Sequence, residues 1–399
     1  MTDGSSPHLA LVGARVVVDD QVLEPGHVVV ADGRIASAGA GEPREADAER
    51  VDLGRAWLLP GFVDPHVHGG GGGDFTQADP ASHARAVAFH ARHGTTSLVA
   101  STVSAAPAEL EATVAALGAS VDRPAQGARV LGVHLEGPFL CEARRGAQDP
   151  AHLRHPDVGE LERLVEVAGG AVRVVTLAPE LPGATALIRR ARQLGIVVAA
   201  GHTDATYAQM IAARDAGVRV VTHTYNGMRG LHHREPGAVG AALDLDELAC
   251  EVIADLVHAH PAAIRLLVRA KGPEGVVLVT DAISAAGMPD GTHSLGGADV
   301  EVVDGQARLS GSDTIAGSTV TMAAAVRNAV AHLPVDLPQV SRMASGNAAR
   351  LLGVDGDVGR VAPGLRADLV VLDDALEVTG TMVGGRWVHG PAAGGDRSG

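Results

Sequence analysis

The chain has 399 residues, of which 46% are hydrophobic and 2% aromatic, and its formal net charge is −15. A chain of this length can form one large domain and a smaller satellite domain. The negative charge and the lack of a basic run argue against nucleic-acid binding. No apolar stretch is long enough to span a bilayer, so we also expect no membrane partner.

The N-terminal residues and the cysteines indicate a compartment. Residues 1–8 contain neither the basic region nor the apolar core of an export signal. Cys141 and Cys250 are the only cysteines, and we expect both to be free thiols in a reducing environment. These features predict a cytoplasmic protein.

Short β-strands are predicted at both ends of the chain. Apolar runs occupy 9–18 and 28–35, and the second run contains an Asp-Gly turn. Runs of the same kind occupy 367–373 and 382–389. We predict that an N-terminal part (1–58) and a C-terminal part (358–399) pair into one small β-sandwich, with a catalytic domain (59–357) inserted between them.

The inserted domain alternates apolar strands with helix-like segments such as 81–93 and 161–167. This alternation is typical of βα units and a parallel sheet. A glycine- and aspartate-rich segment, 287–312, follows the last strand and is predicted to be an inserted loop or hairpin. Eight strands predict an α/β fold, a (β/α)8 TIM barrel, and they end at His68, Ala100, Glu136, Ala178, Ala200, His223, Ala254 and Asp281.

Side chains that can bind a metal ion lie at the ends of these strands. In a (β/α)8 barrel the C-terminal strand ends converge on one face, so residues far apart in sequence meet there. His66 and His68 are two residues apart and therefore project from the same face of a strand. A single histidine at a strand end is more often a hydrogen-bonded structural residue, but this many at one edge predict a metal centre. The candidate ligands are His66, His68, Glu136, His202, His223 and Asp281.

Asp281 is also the candidate catalytic residue. A carboxylate beside a metal ion can accept a proton from water and later pass it to a leaving amine. The alternative is that Asp281 only caps the turn after its strand. Because it ends the last barrel strand, where the functional loops meet, we favour catalysis.

The order of several motifs resembles the amidohydrolase superfamily, and within it the N-acetylglucosamine-6-phosphate deacetylase family. The resemblance extends from about residue 9 to the final strand. His-Leu-Glu-Gly-Pro at 134–138 and Arg-Glu-Pro-Gly at 234–237 are the specific pieces, whereas Pro-Gly-Phe at 60–62 and His-x-His at 66–68 occur throughout the superfamily. It implies metal-dependent hydrolysis of the acetamide of an N-acetylated hexosamine 6-phosphate.

The resemblance also implies roles for individual residues. Glu136, His202 and His223 match the primary metal ligands, and His66 with His68 matches the extra pair of members that hold two ions. It implies one or two divalent ions per chain, with zinc favoured over iron. Arg234 matches an arginine that reaches the substrate phosphate across the interface of a homodimer. The other implied substrate-binding residues are Asn226, Gly227, His258, Ile315, Ala316 and Gly317.

Lys271 and Gln148 bear on which residue bridges the metal ions and on how the substrate is bound. Lys271, the only lysine, precedes the eighth strand, so it cannot supply the carboxylated lysine that bridges two ions on the fourth strand of some amidohydrolases. Glu136 is therefore the expected bridge. Gln148 stands where the family usually has a histidine that polarises the acetyl carbonyl; its amide can still donate a hydrogen bond to the substrate.

Three functions stay open at this stage. The leading one is deacetylation of N-acetylglucosamine 6-phosphate. The second is an amidohydrolase on another substrate, either a different N-acetylated amino-sugar phosphate such as N-acetylgalactosamine 6-phosphate or a different acylated or cyclic amide, a deaminase included. The third is a non-catalytic sugar-phosphate-binding protein, which Gln148 permits and an intact Asp281 argues against.

Overall fold

A computed structural model describes residues 9–45, 47–121 and 126–390. Within these residues no helix is long and apolar enough to cross a membrane. The chain begins with a sheet built from N-terminal strands, in which β1 pairs with β2 antiparallel and with β4 and β5 parallel. These strands are β1 (Leu9–Val18), β2 (Gln21–Ala31), β3 (Arg34–Ala40), β4 (Glu49–Asp52) and β5 (Trp57–Pro60).

The middle of the chain forms a second sheet of eight parallel strands. Neighbours in space follow the order of the chain throughout, which is the arrangement of a (β/α)8 barrel. All eight predicted strands are confirmed. They are β6 (Phe62–Val67), β9 (Thr95–Ser101), β10 (Arg129–Glu136), β11 (Val172–Leu177), β12 (Val197–Ala200), β13 (Val218–Val221), β14 (Ala249–Ile253) and β15 (Val276–Val279); a short hairpin, β7 (Gly69–Gly70) and β8 (Gly73–Asp74), follows the first of them.

Hydrogen bonds just beyond β15 bring the last strand back to the first. The Asp281 amide donates to the His66 carbonyl oxygen at 2.9 Å, and the His68 amide donates to the Ala282 carbonyl oxygen at 2.8 Å. These bonds lie at the C-terminal end of both strands. Barrel closure therefore places Asp281 beside the His66–His68 pair.

Helices pack around the outside of the barrel. Several begin at a side-chain cap, as where Asp157 accepts from the Glu160 amide and Thr206 from the Gln209 amide. The bounds are α1 (Pro80–Arg92), α2 (Pro107–Gly118), α3 (Val158–Val167), α4 (Ala184–Gln193), α5 (Tyr207–Ala216), α6 (Gly237–Asp244), α7 (Pro261–Lys271), α8 (Met322–His332), α9 (Leu337–Ser341) and α10 (Asn347–Leu351), with a π-helical turn (Arg342–Gly346) before the last.

Small aliphatic side chains fill the barrel interior, as expected from the scarcity of aromatic residues. Each of the eight strands contributes at least one buried residue to this cluster, and Ala348 and Ala349 of α10 pack against it. The strand residues are Val63, Val99, Leu131, Val174, Ala199, Val220, Ile253, Val277 and Val279. This packing leaves the opposite, C-terminal end of the barrel for the polar residues.

The segment after β15 forms a three-stranded antiparallel sheet, here called the insert sheet, made of β16 (Gly291–Leu295), β17 (Ala298–Val303) and β18 (Gln306–Leu309). The end of the chain then joins the N-terminal sheet, because β19 (Leu369–Leu372) pairs with β5 and β20 (Val378–Val383), and β21 (Arg386–His389) pairs with β20. The predicted pairing of the two chain ends is confirmed as one eight-stranded sheet. The exact domain limits, 1–58, 59–357 and 358–399, stay a prediction.

Candidate metal centre and active site

The six candidate ligands lie at the C-terminal end of the barrel strands. His66 is within β6, and Glu136 is the last residue of β10. Three others follow their strands by two residues and share an unusual backbone: φ is +47° at His202, +27° at His223 and +48° at Asp281. A positive φ strains a residue that has a Cβ atom. The strain turns these side chains away from the strand direction and toward the barrel axis.

The ligands form two groups that share the Glu136 carboxylate as a neighbour. His66, His68 and Asp281 form one group, which we call the first group, and Glu136, His202 and His223 form the second group. Oε1 of Glu136 is 3.1 Å from His202 Nε2 and 3.2 Å from His223 Nε2. Its Oε2 is 3.3 Å from His68 Nε2. Glu136 therefore lies between the two groups.

A hydrogen bond at the outer nitrogen of His202 indicates that its inner nitrogen is free to bind a metal ion. His202 Nδ1 donates to the Arg144 carbonyl oxygen at 3.0 Å, which leaves Nε2 with a lone pair directed inward. This Nε2 faces His223 Nε2 at 3.1 Å, and His66 Nε2 faces His68 Nε2 at 3.3 Å. Facing lone pairs repel unless a cation lies between them. Imidazole and carboxylate donors fixed in this way suit zinc or iron.

The charges in the cluster support the same conclusion. Burial opposes ionisation of Glu136, but when the histidine rings are protonated, the charge of His66 and hydrogen bonds from His202 and His223 hold the Glu136 pKa well below the usual value. Burial also opposes ionisation of Asp281, yet His66 and His68 lower its pKa to about 2. Burial disfavours protonation of His68, but Asp281 and Glu136 raise its pKa to about 9. The carboxylates thus make this a place where positive charge is strongly favoured, and a divalent cation supplies it.

Glu251 in β14 is a residue of the site that the sequence analysis did not identify. Its side chain is 1% exposed, and Oε2 accepts from His66 Nδ1 at 3.1 Å and from the His223 amide at 3.2 Å. The signal in the sequence is an acidic residue inside the apolar run 249–254. In contrast, buried His134 bonds through both ring nitrogens to Ser101 and Thr176 and is structural.

A cavity of about 730 Å³ opens above the two ligand groups. Gln148 lines it and is also held by its neighbours, since Oε1 accepts from the Ser104 amide at 2.7 Å and Nε2 donates to Glu136 Oε2 at 2.9 Å. In this structure the amide therefore supports the Glu136 carboxylate. Arg145, which the sequence analysis did not single out, is the only arginine among the described residues that line the cavity.

Most of the implied substrate-binding residues lie around this cavity. Asn226, Gly227, His258, Ile315 and Gly317 line it, in addition to Gln148. The Asp255 carboxylate accepts from His258 Nδ1 at 2.7 Å. Burial acts against protonation of His258, but this hydrogen bond and the Asp255 and Asp281 charges raise its pKa.

Two of the implied residues lie elsewhere. Ala316 is fully buried and packs with the insert sheet, so it does not line the cavity. Arg234 is exposed, outside the cavity of its own chain, and its guanidinium lies 2.9 Å from His233 Nε2. Neither side chain can contact a ligand in this chain's cavity without a rearrangement.

The chain is similar to known proteins along most of its length. The model of the amidohydrolase family matches residues 57–388. N-acetylgalactosamine-6-phosphate deacetylase of Escherichia coli O157:H7 is 40% identical over 93% of this chain and 97% of its own length. N-acetylglucosamine-6-phosphate deacetylase of Bacillus subtilis (strain 168) is 36% identical over 94% of this chain and 96% of its own length.

A solved structure agrees along the whole fold. An alanine variant of N-acetyl-D-glucosamine-6-phosphate deacetylase from Mycobacterium smegmatis, in complex with N-acetyl-D-glucosamine 6-phosphate, has a TM-score of 0.92 and 45% identity. The similarity covers 96% of this chain and all of that one. The similarity therefore includes the barrel, its metal-binding end and the sheet formed by the chain ends.

Proposed function

The chain belongs to the amidohydrolase family, and from this premise we propose that it hydrolyses the acetamide of N-acetylglucosamine 6-phosphate to acetate and glucosamine 6-phosphate. The observation that carries the proposal is the position of Asp281, which lies with His66 and His68 and close to the second group of candidate ligands at the floor of a cavity large enough for a sugar phosphate. The relatives that act on such acetamides support the substrate class.

The metal ions would be held by the chain's own histidines and carboxylates. We assign one ion to the second group, Glu136, His202 and His223, and another to the first group, His66, His68 and Asp281, with Glu136 shared. Zinc is our preferred metal, and iron is the alternative, because imidazole and carboxylate donors suit both. A bound divalent ion makes water more acidic and polarises a carbonyl oxygen.

Asp281 performs the proton transfers in this proposal. An aspartate with an ordinary pKa of about 3.9 is ionised at neutral pH, so the Asp281 carboxylate can accept the proton of the attacking water. The same carboxyl group then delivers a proton to the amine nitrogen as the carbon–nitrogen bond breaks. Each of these two transfers by a positioned group is worth about 10²–10⁴-fold in rate.

Other residues orient the substrate. His258 carries a raised pKa and directs its ring to the cavity, where its Nε2–H can donate to a sugar oxygen. The turn at Asn226 and Gly227 offers a place for the phosphate, and Arg145 adds positive charge at the same cavity. A phosphorylated sugar does not cross membranes unaided, which suits the cytoplasmic location expected from the sequence.

We propose that Arg234 completes the phosphate site of a second copy in a homodimer. Its own cavity does not contain it, and neighbouring Leu231 is 59% exposed, as expected of a residue that a partner covers. A guanidinium suits a phosphate dianion because it donates two parallel, charge-assisted hydrogen bonds. The dimer would therefore be needed for full affinity.

Acetate release from the purified, zinc-loaded protein tests the function. We expect acetate from N-acetylglucosamine 6-phosphate and far less from the unphosphorylated sugar. N-acetylgalactosamine 6-phosphate is also tested, because one relative is a deacetylase of that compound. A higher kcat/KM for it would make N-acetylgalactosamine 6-phosphate the proposed substrate. If neither sugar phosphate yields acetate while metal ions are bound, the protein would be a non-catalytic sugar-phosphate-binding protein.

A further inference from the structure

We propose that Glu251 is a positioning residue that sets the affinity of the first group, His66, His68 and Asp281, for its metal ion. Glu251 does not reach the metal-binding atoms itself. It acts through the outer face of His66, to which it is hydrogen-bonded. The proposal deepens the metal-dependent function proposed above and rests on it for the presence of the ions.

The contact with His66 fixes which ring nitrogen can bind metal. An ionised carboxylate can only accept a hydrogen bond, so the contact of 3.1 Å between Glu251 Oε2 and His66 Nδ1 requires that Nδ1 carry the proton. The lone pair is then on Nε2, which points at His68 Nε2 and Asp281 Oδ1, 3.3 and 3.5 Å away. Without Glu251 as the acceptor, the His66 ring could carry its proton on Nε2, the nitrogen that would bind the metal ion.

Oε2 of Glu251 also contacts a residue of the second group. Glu251 Oε2 also accepts from the His223 backbone amide at 3.2 Å, and the Glu251 carbonyl oxygen accepts from the Thr224 amide at 2.8 Å. His223 has a strained φ of +27°, so these bonds hold a turn that would otherwise relax. One carboxylate thus supports ligands of both groups, but only in the first group does it hold the ring itself.

The burial of the Glu251 carboxylate indicates that its hydrogen bonds serve a specific role. Glu251 is 1% exposed and stands in β14 between Cys250 and Val252, which are both buried and apolar. A carboxylate in such a position is costly unless its hydrogen bonds offset the loss of solvation. The donors that do so are those of His66 and His223.

Metal titration of the wild-type protein and two variants tests the proposal. In Glu251→Ala we expect the ion of the first group to bind about 10–100-fold more weakly, the usual effect of losing a partner of a ligating histidine. The ion at Glu136, His202 and His223 should be weakened less. Glu251→Gln keeps an acceptor oxygen and should restore most of the affinity. Calorimetric titration of metal-free protein with Zn²⁺ measures both dissociation constants without substrate.

A matched control separates positioning from general loss of stability. Asp368 is also a buried carboxylate, but it lies in the sheet of the chain ends and accepts from the Gly384 amide. Asp368→Ala should lower the melting temperature and leave both dissociation constants unchanged. If Glu251→Ala does not fold, Glu251→Met, which also removes the acceptor but keeps most of the volume, takes its place. The ion of the first group should then bind about 10–100-fold more weakly than in Glu251→Gln, and equal affinities in these two variants would overturn the proposal.

Three results would overturn the proposal. The first is an affinity of Glu251→Ala for the ion of the first group that lies within twofold of wild type. The second is an equal weakening of both ions, which would indicate a structural role only. The third is a wild-type protein that binds a single ion. Because no substrate is present, an inactive protein with normal titrations would reject the proposed deacetylation and leave the role of Glu251 standing.

Discussion

At the scale of single residues, several groups of the site are held in place by specific hydrogen bonds. Asp281 is fixed by backbone bonds on both sides, since its amide donates to the His66 carbonyl oxygen and its own carbonyl oxygen accepts from the Ser318 amide. Gly317, with φ of +58°, approaches the same carbonyl so closely that a Cβ atom would be 2.9 Å from it. A reacting carboxylate is thereby held in one orientation, which proton transfer requires.

Replacing Asp281 tests the proton transfers. Asp281→Asn keeps the size and one metal-binding oxygen but cannot accept a proton at neutral pH. We expect kcat to fall by at least about 10²–10⁴-fold, the value of one such transfer, while the ion at Glu136, His202 and His223 is retained. Steady-state kinetics and elemental analysis check both statements. A kcat within tenfold of wild type would assign the base to another residue.

Gln148 offers a second test at this scale. Gln148→Leu has a similar volume but leaves the buried Ser104 amide without its acceptor and removes a donor to Glu136. An unsatisfied buried amide costs about 1–3 kcal/mol. We expect the free energy of unfolding of the metal-free protein to fall by this amount in urea titrations. A change below about 0.5 kcal/mol would mean that the loop rearranges to satisfy the amide.

At the scale of elements, the loops after the strands and the insert sheet shape the cavity. The loop after β14 carries Asp255 and His258, and Asp255 also accepts from the Val257 and His258 amides, so that one carboxylate organises the whole turn. The insert sheet contributes the tip residues Gly296 and Gly297 to the cavity wall. Each element therefore has a part that can be changed without altering a metal ligand.

The loop after β14 predicts a pH dependence of stability. Burial opposes protonation of His258, but Asp255 and Asp281 raise its folded-state pKa above the unfolded value of about 6.5. Its stabilising contribution is therefore complete below about pH 6.5 and is lost as pH rises through the raised pKa. We expect wild type to exceed Asp255→Asn in unfolding free energy by more at pH 6 than at pH 9. An equal difference at both pH values would contradict this coupling.

The tip of the insert sheet predicts a steric effect on binding. Gly296 and Gly297 both have positive φ, but only at Gly296 would a Cβ atom collide with a neighbour, Val103, at 2.4 Å. Alanine at either position costs about 1–2 kcal/mol of backbone strain. Only Gly296→Ala should also push the tip outward and raise KM, by about fivefold for a loss of about 1 kcal/mol. Gly297→Ala is the control, and equal KM values for the two variants would exclude the steric effect.

At the scale of the whole molecule, barrel closure and the joining of the chain ends decide which groups meet. The two ends are brought together by four antiparallel residue pairs between β5 and β19. The barrel brings His66 and Asp281, more than two hundred positions apart, within 3.5 Å of one another. Assembly of two copies is the next level, and we propose it for the phosphate site.

Mixing two impaired variants tests the proposed dimer. Arg234→Ala should weaken binding of the 6-phosphate by about ten- to a hundredfold, because the charge-assisted bonds it loses are worth about 1.5–3 kcal/mol. If Arg234 serves the other subunit, a heterodimer of Arg234→Ala and Asp281→Asn has one site with both residues intact. Activity should then recover toward half of wild type. No recovery after demonstrated subunit exchange would place Arg234 in its own subunit's site or in none.

The sequence by itself determined the eight barrel strands and the pairing of the chain ends. It also identified the candidate ligands His66, His68, Glu136, His202, His223 and Asp281, which the structure gathers at one face. These follow from local patterns: apolar runs of strand length and polar residues at their ends. Only the tertiary structure revealed Glu251 as the partner of His66, the exposed position of Arg234 and the bond from Gln148 to Glu136. Contacts of this kind join residues that are distant in the chain, and their directions depend on how neighbouring strands and loops pack, which no local pattern encodes.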